Sequence, residues 1–290
     1  MAFTRAADGT RIAFEVFGRA DGEPLVLIQG LGADRRGWFR QRRAFGARFR
    51  CLALDNRGVG ASDKPPGPYD LEVMADDVVA VLDAAGFSSA HLVGASLGGV
   101  LAQIVAVRHP ERVRSLVLAC TACRHMPWRR ELFAEWAEVA EADGMRAFAS
   151  RNLKWLVGSR SLRRFWPAMS VLGPLALNVP VESFVAQVRA ILAADDDLRF
   201  ALAEISAPTL VLVGSQDILT PLGDAEELAS LIPGAELAVV SGGAHGFMAE
   251  HAGAFNRTVL AFLARVAVAS SPPIDADTDD PAAAVVRAAS

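Results

Sequence analysis

A chain of 290 residues in which 52% of the side chains are hydrophobic is long enough for one large domain, or for a domain carrying an insert, around a substantial core. Its formal net charge of −4 leaves no basic footprint for nucleic acid. The opening MAFTRAADGT lacks a basic region followed by an apolar run, and the longest uncharged stretch, Leu92 to Val107, is shorter than the roughly 18–20 residues of a membrane span. A cytoplasmic chain with no membrane partner is therefore expected.

The segment FTRAADGTRIAFEVFG reads as two strands joined at Asp8-Gly9. PLVLIQG, from Pro24 to Gly30, is a short continuous apolar run of the kind shown by strands buried on both faces, and FRCLALDNRG is a second. YDLEVMADDVVAVLDAAGF predicts an amphipathic helix, with Leu71, Met74, Val78, Leu82 and Ala85 on one stripe and Gly86 as its stop. Strand AHLVGA, helix LGGVLAQIVAVRH and strand VRSLVLAC follow. This alternation predicts an α/β fold, a mostly parallel sheet with helices on both faces.

The rhythm breaks after Cys123. From Arg124 to Ser206 no strand pattern appears; the segments RRELFAEWAEVAEADG and GMRAFASRNLKWLVG are helix-like, and four of the five tryptophans (Trp128, Trp136, Trp155 and Trp166) lie here. Strand PTLVLVGSQD, helix PLGDAEELASLIPG, strand AELAVVSGGAHG and a last helix from about Ala249 to Val266 then resume it. The expected organisation is a core of residues 1–123 and 207–268, an inserted helical cap at 124–206, and a disordered acidic, Pro/Ala-rich tail at 269–290.

Cys51, Cys120 and Cys123 are too few for a disulfide framework, and CTAC follows a strand rather than opening a helix, so core or pocket-lining thiols are expected over a redox pair. No second Cys/His pair is near enough in sequence to suggest zinc, and no metal or cofactor is expected.

Between the strand AHLVGA and its helix stands Gly94-Ala95-Ser96-Leu97-Gly98, G-x-S-x-G with almost no connecting loop. Glycines let strand and helix backbones approach, and a serine there is held at a helix N-terminus, where free N–H groups face developing negative charge. A dinucleotide loop would need G-x-G-x-x-G on the first strand, and Ser96 occupies the place of the middle glycine. Ser96 is the candidate nucleophile. An alcohol needs a base, and the base an orienting acid, at the ends of later strands in the order Ser…Asp…His. LVLVGSQD ends at Asp217 and LAVVSGGAHG supplies His245. Asp224, the nearby rival acid, is expected at the surface of a helix start. His91, His109, His125 and His251 fit worse by position. Two N–H donors are then needed for an oxyanion. Leu97, directly after the nucleophile, and Leu31, in the QGLG loop between Gly30 and Gly32, are the candidates.

The stretches GLGADRRGW, DNRGVGASDKP, GASLGG, HPERVRSLVL, PTLVLVGSQD and GGAHG together resemble the α/β-hydrolase fold superfamily over about residues 3–266, and most of all its 3-oxoadipate enol-lactonase group and related esterases. The resemblance implies a Ser96–Asp217–His245 triad, oxyanion amides at Leu31 and Leu97, and a helical cap shaping the pocket. Where that family carries His-Gly before the oxyanion residue, this chain has Gln29-Gly30. The expected chemistry is cofactor-free serine hydrolysis of a small-molecule ester or lactone. The enol-lactonase itself, a thioesterase and a perhydrolase are close alternatives, and a ligand receptor with a slow triad is the non-enzyme one. Gly30, Trp128 and Trp155 are expected to contact substrate. The cap arginines Arg124, Arg129, Arg130, Arg160, Arg163 and Arg164 read as a solvated basic surface, which favours a neutral small-to-medium acyl ester; the alternative is that one of them turns inward and pairs with a substrate carboxylate, which would favour a carboxylate-bearing lactone.

Overall fold

The computed structural model describes residues 1–158, 161, 179–194 and 198–270. Eight strands form one sheet: β1 (Ala2–Arg5), β2 (Arg11–Gly18), β3 (Glu23–Ile28), β4 (Phe49–Leu54), β5 (Ala90–Ala95), β6 (Val113–Ala119), β7 (Thr209–Gly214) and β8 (Glu236–Val240). Their spatial order is β1-β2-β4-β3-β5-β6-β7-β8. The first two are antiparallel to their neighbours, and from β4 onward every pairing is parallel.

The continuous apolar runs are explained by a sheet covered on both faces. Along β3, Val26 and Ile28 enter one core layer and Leu25 and Leu27 the other; Leu116 and Leu118 alternate with Val117 and Ala119 along β6 in the same way. On the first face lie α1 (Leu71–Ala84) and α2 (Leu97–Arg108). Helix α1 starts on Asp70, whose carboxylate accepts from the N–H groups of Glu72 and Val73 at 2.7 and 3.1 Å, and stops before Gly86 at φ +69°. Every residue of α2 from Leu97 to Ala106 is buried, which is why its sequence shows no polar face.

The second face is covered largely by the last helix, Ala252–Ser270, through Phe255, Val259, Phe262 and Leu263. By length and composition its stretch Ala252–Ala269, with mean hydropathy 1.3, would suffice to cross a membrane; a third of it is buried, with those four side chains turned onto the sheet. It also takes the first two residues of the expected tail; the remainder, from 271 on, lies outside the described residues.

Between β6 and β7 the described residues form helices and connecting loops, with no strand among them. Helix α3 (Pro127–Leu156) bends at Gly144, whose φ of 80° and ψ of 169° separate the two helical segments expected from sequence. Helix α4 (Val181–Ala193) packs against it, and α5 (Leu222–Leu231) follows β7. Arg160, Arg163, Arg164 and Trp166 of the expected cap lie outside the described residues.

Candidate active site

Ser96 stands directly between β5 and α2, and its backbone is forced to φ 52° and ψ −120°, a conformation that side-chain-bearing residues avoid. The glycines around it are required by contact. A Cβ on Gly94 would overlap the Gly98 carbonyl, one on Gly98 would overlap the Ile28 carbonyl, and one on Gly99 would stand 2.6 Å from Thr121 Cβ. The turn is pinned from β6, where Ser96 N–H donates to the Ala119 carbonyl at 2.9 Å and Thr121 Oγ1 donates to the Ser96 carbonyl at 2.8 Å.

The three residues selected from strand-end positions meet here. His245 Nε2 lies 3.0 Å from Ser96 Oγ, and His245 Nδ1 lies 2.9 Å from Asp217 Oδ2. Asp217, three residues beyond β7, is locked by its own turn: Oδ1 accepts from the N–H groups of Leu219 and Thr220, both at 2.9 Å, and Oδ2 accepts from Thr220 Oγ1 at 2.8 Å. Burial pushes the Asp217 carboxyl up, but the facing His245 and the Thr220 donors outweigh it and hold the group below its ordinary value. Thr220 was not singled out from sequence, although a Thr three residues after an Asp is a signal for such a turn.

Ser96 and His245 open into a cavity of about 230 Å³ whose lining is mostly apolar. Leu31 and Leu97 both line it, and Gly30 runs so close to the nucleophile that an added Cβ would lie 3.1 Å from Ser96 Cβ. Gln29, in the place of the family's histidine, lies beneath Gly37 and has its Oε1 3.3 Å from the Gly30 N–H, so it supports the loop from behind. Phe133, Trp136, Phe148 and Leu156 of α3, with Phe184 and Ile191 of α4, form the apolar wall.

Two expectations are corrected by this geometry. Trp128 and Trp155 stack on each other with ring centroids 6.4 Å apart and are absent from the cavity wall, where Trp136 stands instead. The reason is helical spacing: Arg129, Phe133, Trp136 and Ala140 share the buried face of α3, whereas Trp128 is 39% exposed. The second concerns charge. Arg129 is not part of a solvated surface; it is fully buried, lines the cavity, and is bonded to Asp224, which is likewise buried rather than superficial. Arg124, by contrast, is part-exposed and paired with Glu227.

The three cysteines are buried free thiols. Among the described residues no cluster of His, Cys, Asp or Glu has the arrangement of a metal site.

A sequence description of the alpha/beta hydrolase fold matches residues 23–252. The chain is 32% identical over 270 residues to a protein named for carbamate hydrolysis, RutD of Caulobacter segnis, an alignment covering 90% of this chain and 98% of that one. It is 28% identical over 274 residues to 3-oxoadipate enol-lactonase 2 of Acinetobacter baylyi, covering 90% and 96%. Among solved structures, the enol-lactonase from Burkholderia xenovorans superposes with a TM-score of 0.84 at 30% identity, over 91% of this chain and all of the other.

Proposed function

The chain belongs to the alpha/beta hydrolase fold family, and from that premise we propose that it is a serine hydrolase of small carboxylic esters or lactones, working through an acyl-enzyme on Ser96. The observation that carries the reading is the unbroken chain Ser96 Oγ–His245–Asp217, with contacts of 3.0 and 2.9 Å, in the wall of an apolar cavity. Residues 124–206 act in this reading as a cap over residues 1–123 and 207–268.

His245 Nε2 takes the proton from Ser96 Oγ as the oxygen attacks the acyl carbon. The carbonyl oxygen becomes an oxyanion held by the N–H groups of Leu31 and Leu97, the latter at the N-terminus of α2. As the C–O bond to the leaving group breaks, His245 returns its proton to that oxygen. Water, deprotonated by the same imidazole, then cleaves the acyl-serine and releases the acid. Asp217 holds the ring in the tautomer that leaves Nε2 free to accept, and it faces the imidazolium formed at each proton transfer. No step requires a cofactor.

The kinship with the RutD protein favours one second reading, carbamate hydrolysis by the same triad. The acyl group transferred to Ser96 would then be a carbamoyl group, and the leaving group would be unchanged in kind. A panel of p-nitrophenyl esters, lactones, thioesters and carbamates separates the two by kcat/KM. Ser96→Ala should abolish turnover of whichever wins, and a fluorophosphonate should label the native chain but not this variant. Full activity in Ser96→Ala, or labelling at another serine, would remove the assignment.

A further inference from the structure

Helix α4 presents Phe184, Val188 and Ile191 on one buried stripe, and in the middle of that stripe stands Gln187, itself fully buried. An amide in such a place is unfavourable unless both its ends find partners. Both do. Gln187 Oε1 accepts the Gly32 N–H at 2.9 Å, and Gln187 Nε2 donates to the Arg57 carbonyl at 2.9 Å.

Each partner is itself fixed. The Arg57 guanidinium donates to both carboxylate oxygens of Asp77, at 2.7 and 2.8 Å, and to Asp8 at 2.8 Å. Gly32 has a φ of +68°, and a Cβ there would lie 3.2 Å from the Phe184 ring, so helix and loop touch with no space between them. At the other end of the same loop, Asn56 Nδ2 donates to the Gln29 carbonyl at 3.0 Å. Gly30-Leu31-Gly32 is thus held before and after Leu31. A leucine flanked by two glycines has little rigidity of its own, so the direction of its N–H depends on those anchors, together with the Gly30 N–H contact to Gln29 Oε1 at 3.3 Å and the Ala33 N–H bond to the Gly30 carbonyl at 3.2 Å.

We infer that Gln187 is a positioning residue for the oxyanion loop: by clamping the Gly32 N–H to the Arg57 carbonyl from within the inserted helix, it keeps the Leu31 N–H aimed at the reacting oxygen. The inference rests on the serine-hydrolase reading above. It makes the anion site complete only while α4 is seated, which links enclosure of the substrate to stabilisation of the developing charge.

The test uses the full chain with Gln187→Met, of similar length but with neither donor nor acceptor, and Gln187→Glu, which keeps the acceptor for Gly32. An ester turned over by the wild type supplies kcat and KM. A trifluoromethyl ketone bearing the same acyl group, which adds to Ser96 Oγ as a tetrahedral oxyanion, supplies Ki. Loss of a whole oxyanion donor costs about 10²–10³ in rate, so misaiming one in Gln187→Met should lower kcat on the order of tenfold to a hundredfold. KM should stay within about threefold, and Ki should weaken by the same factor as kcat/KM. Gln187→Glu should recover part of both losses. If Gln187→Met does not fold, the same parallel loss in kcat/KM and Ki is required of Gln187→Asn, whose shorter amide cannot span from Gly32 to Arg57. A folded variant that keeps kcat within about twofold of wild type, or that loses kcat with Ki unchanged, overturns the inference. A wild type that neither hydrolyses any ester nor binds the ketone overturns the hydrolase reading instead.

Discussion

Arg129 in helix α3 and Asp224 in helix α5 form a buried ion pair that ties the inserted segment to the sheet core, across 95 positions of sequence. Arg129 also donates to the Arg124 carbonyl at 3.1 Å. Burial pushes the Asp224 carboxyl up, and Arg129 offsets this only in part. Removing one partner leaves the other charged group buried and alone, at a cost of about 3–5 kcal/mol, whereas replacing both with apolar groups of similar size is close to neutral. Arg129→Met and Asp224→Leu should each lower the urea midpoint sharply, and the double variant should regain most of the loss. Simple additivity of the two single effects would count against the pair.

The same pair bears on substrate choice. Arg129 lines the cavity, but Asp224 already balances its charge, and the rest of the described wall is chiefly apolar. A neutral butyrate or hexanoate ester should therefore exceed a carboxylate-bearing lactone by more than about tenfold in kcat/KM, since the carboxylate would be desolvated without a new counter-ion. The reverse preference, measured on the two substrates side by side, would mean that Arg129 exchanges Asp224 for the substrate.

The acid side of the pH–rate profile should report one ionisation. Asp217 is held below the ordinary carboxylate value of about 3.9, so above that pH it stays charged and adds no second ionisation to the limb. A depressed carboxyl contributes stability that is present above its unfolded value and is lost as pH falls through the folded one. Thr220→Val removes the 2.8 Å hydroxyl donor and should move the Asp217 ionisation upward, towards the assay range. Asp217→Asn should keep the fold but lose about 10⁴ in kcat. A wild-type limb with a slope of two, or near-normal rates in Asp217→Asn, would point to another acid.

Thiol reagents should not inactivate the folded protein. Burial pushes the Cys51 and Cys123 thiols up to about 12, and it raises the thiol of Cys120 as well. At pH 7.5 almost no thiolate is available to react. Iodoacetamide should leave all three unmodified in the native state and alkylate all three in urea, as read by intact mass. Rapid loss of activity with native-state modification of Cys120, which lines the cavity, would contradict this.

What could be read from sequence was whatever depends on chain-local pattern. Continuous apolar runs mark strands covered on both faces, and the elbow around Ser96 announces itself through glycines that the close approach demands. Asp217 and His245 follow because parallel strands deliver their carboxyl ends to one rim. What could not be read depends on partners distant in sequence. Asp224 looks superficial at a helix start until Arg129 is brought against it. The cavity tryptophan is decided by which face of α3 turns inward, and the stripe Phe133, Trp136, Ala140 would have indicated Trp136 over Trp128. Gln187 was legible only as a polar residue interrupting an apolar face.

Ser96 and Cys120 are the two non-glycine residues with positive φ among those described, at 52° and 42°, and they sit on adjacent strand ends. Such backbone conformations cost of order 1–3 kcal/mol each, while a glycine would cost only roughly 0.5–1 kcal/mol in lost chain freedom. A glycine in place of Ser96 should thus give a molecule with no nucleophile that is as robust as the parent or more so. Selection for heat tolerance alone would therefore tend to erase the reactive hydroxyl, and a thermostability screen run without an activity filter would be expected to return inert proteins altered at this corner.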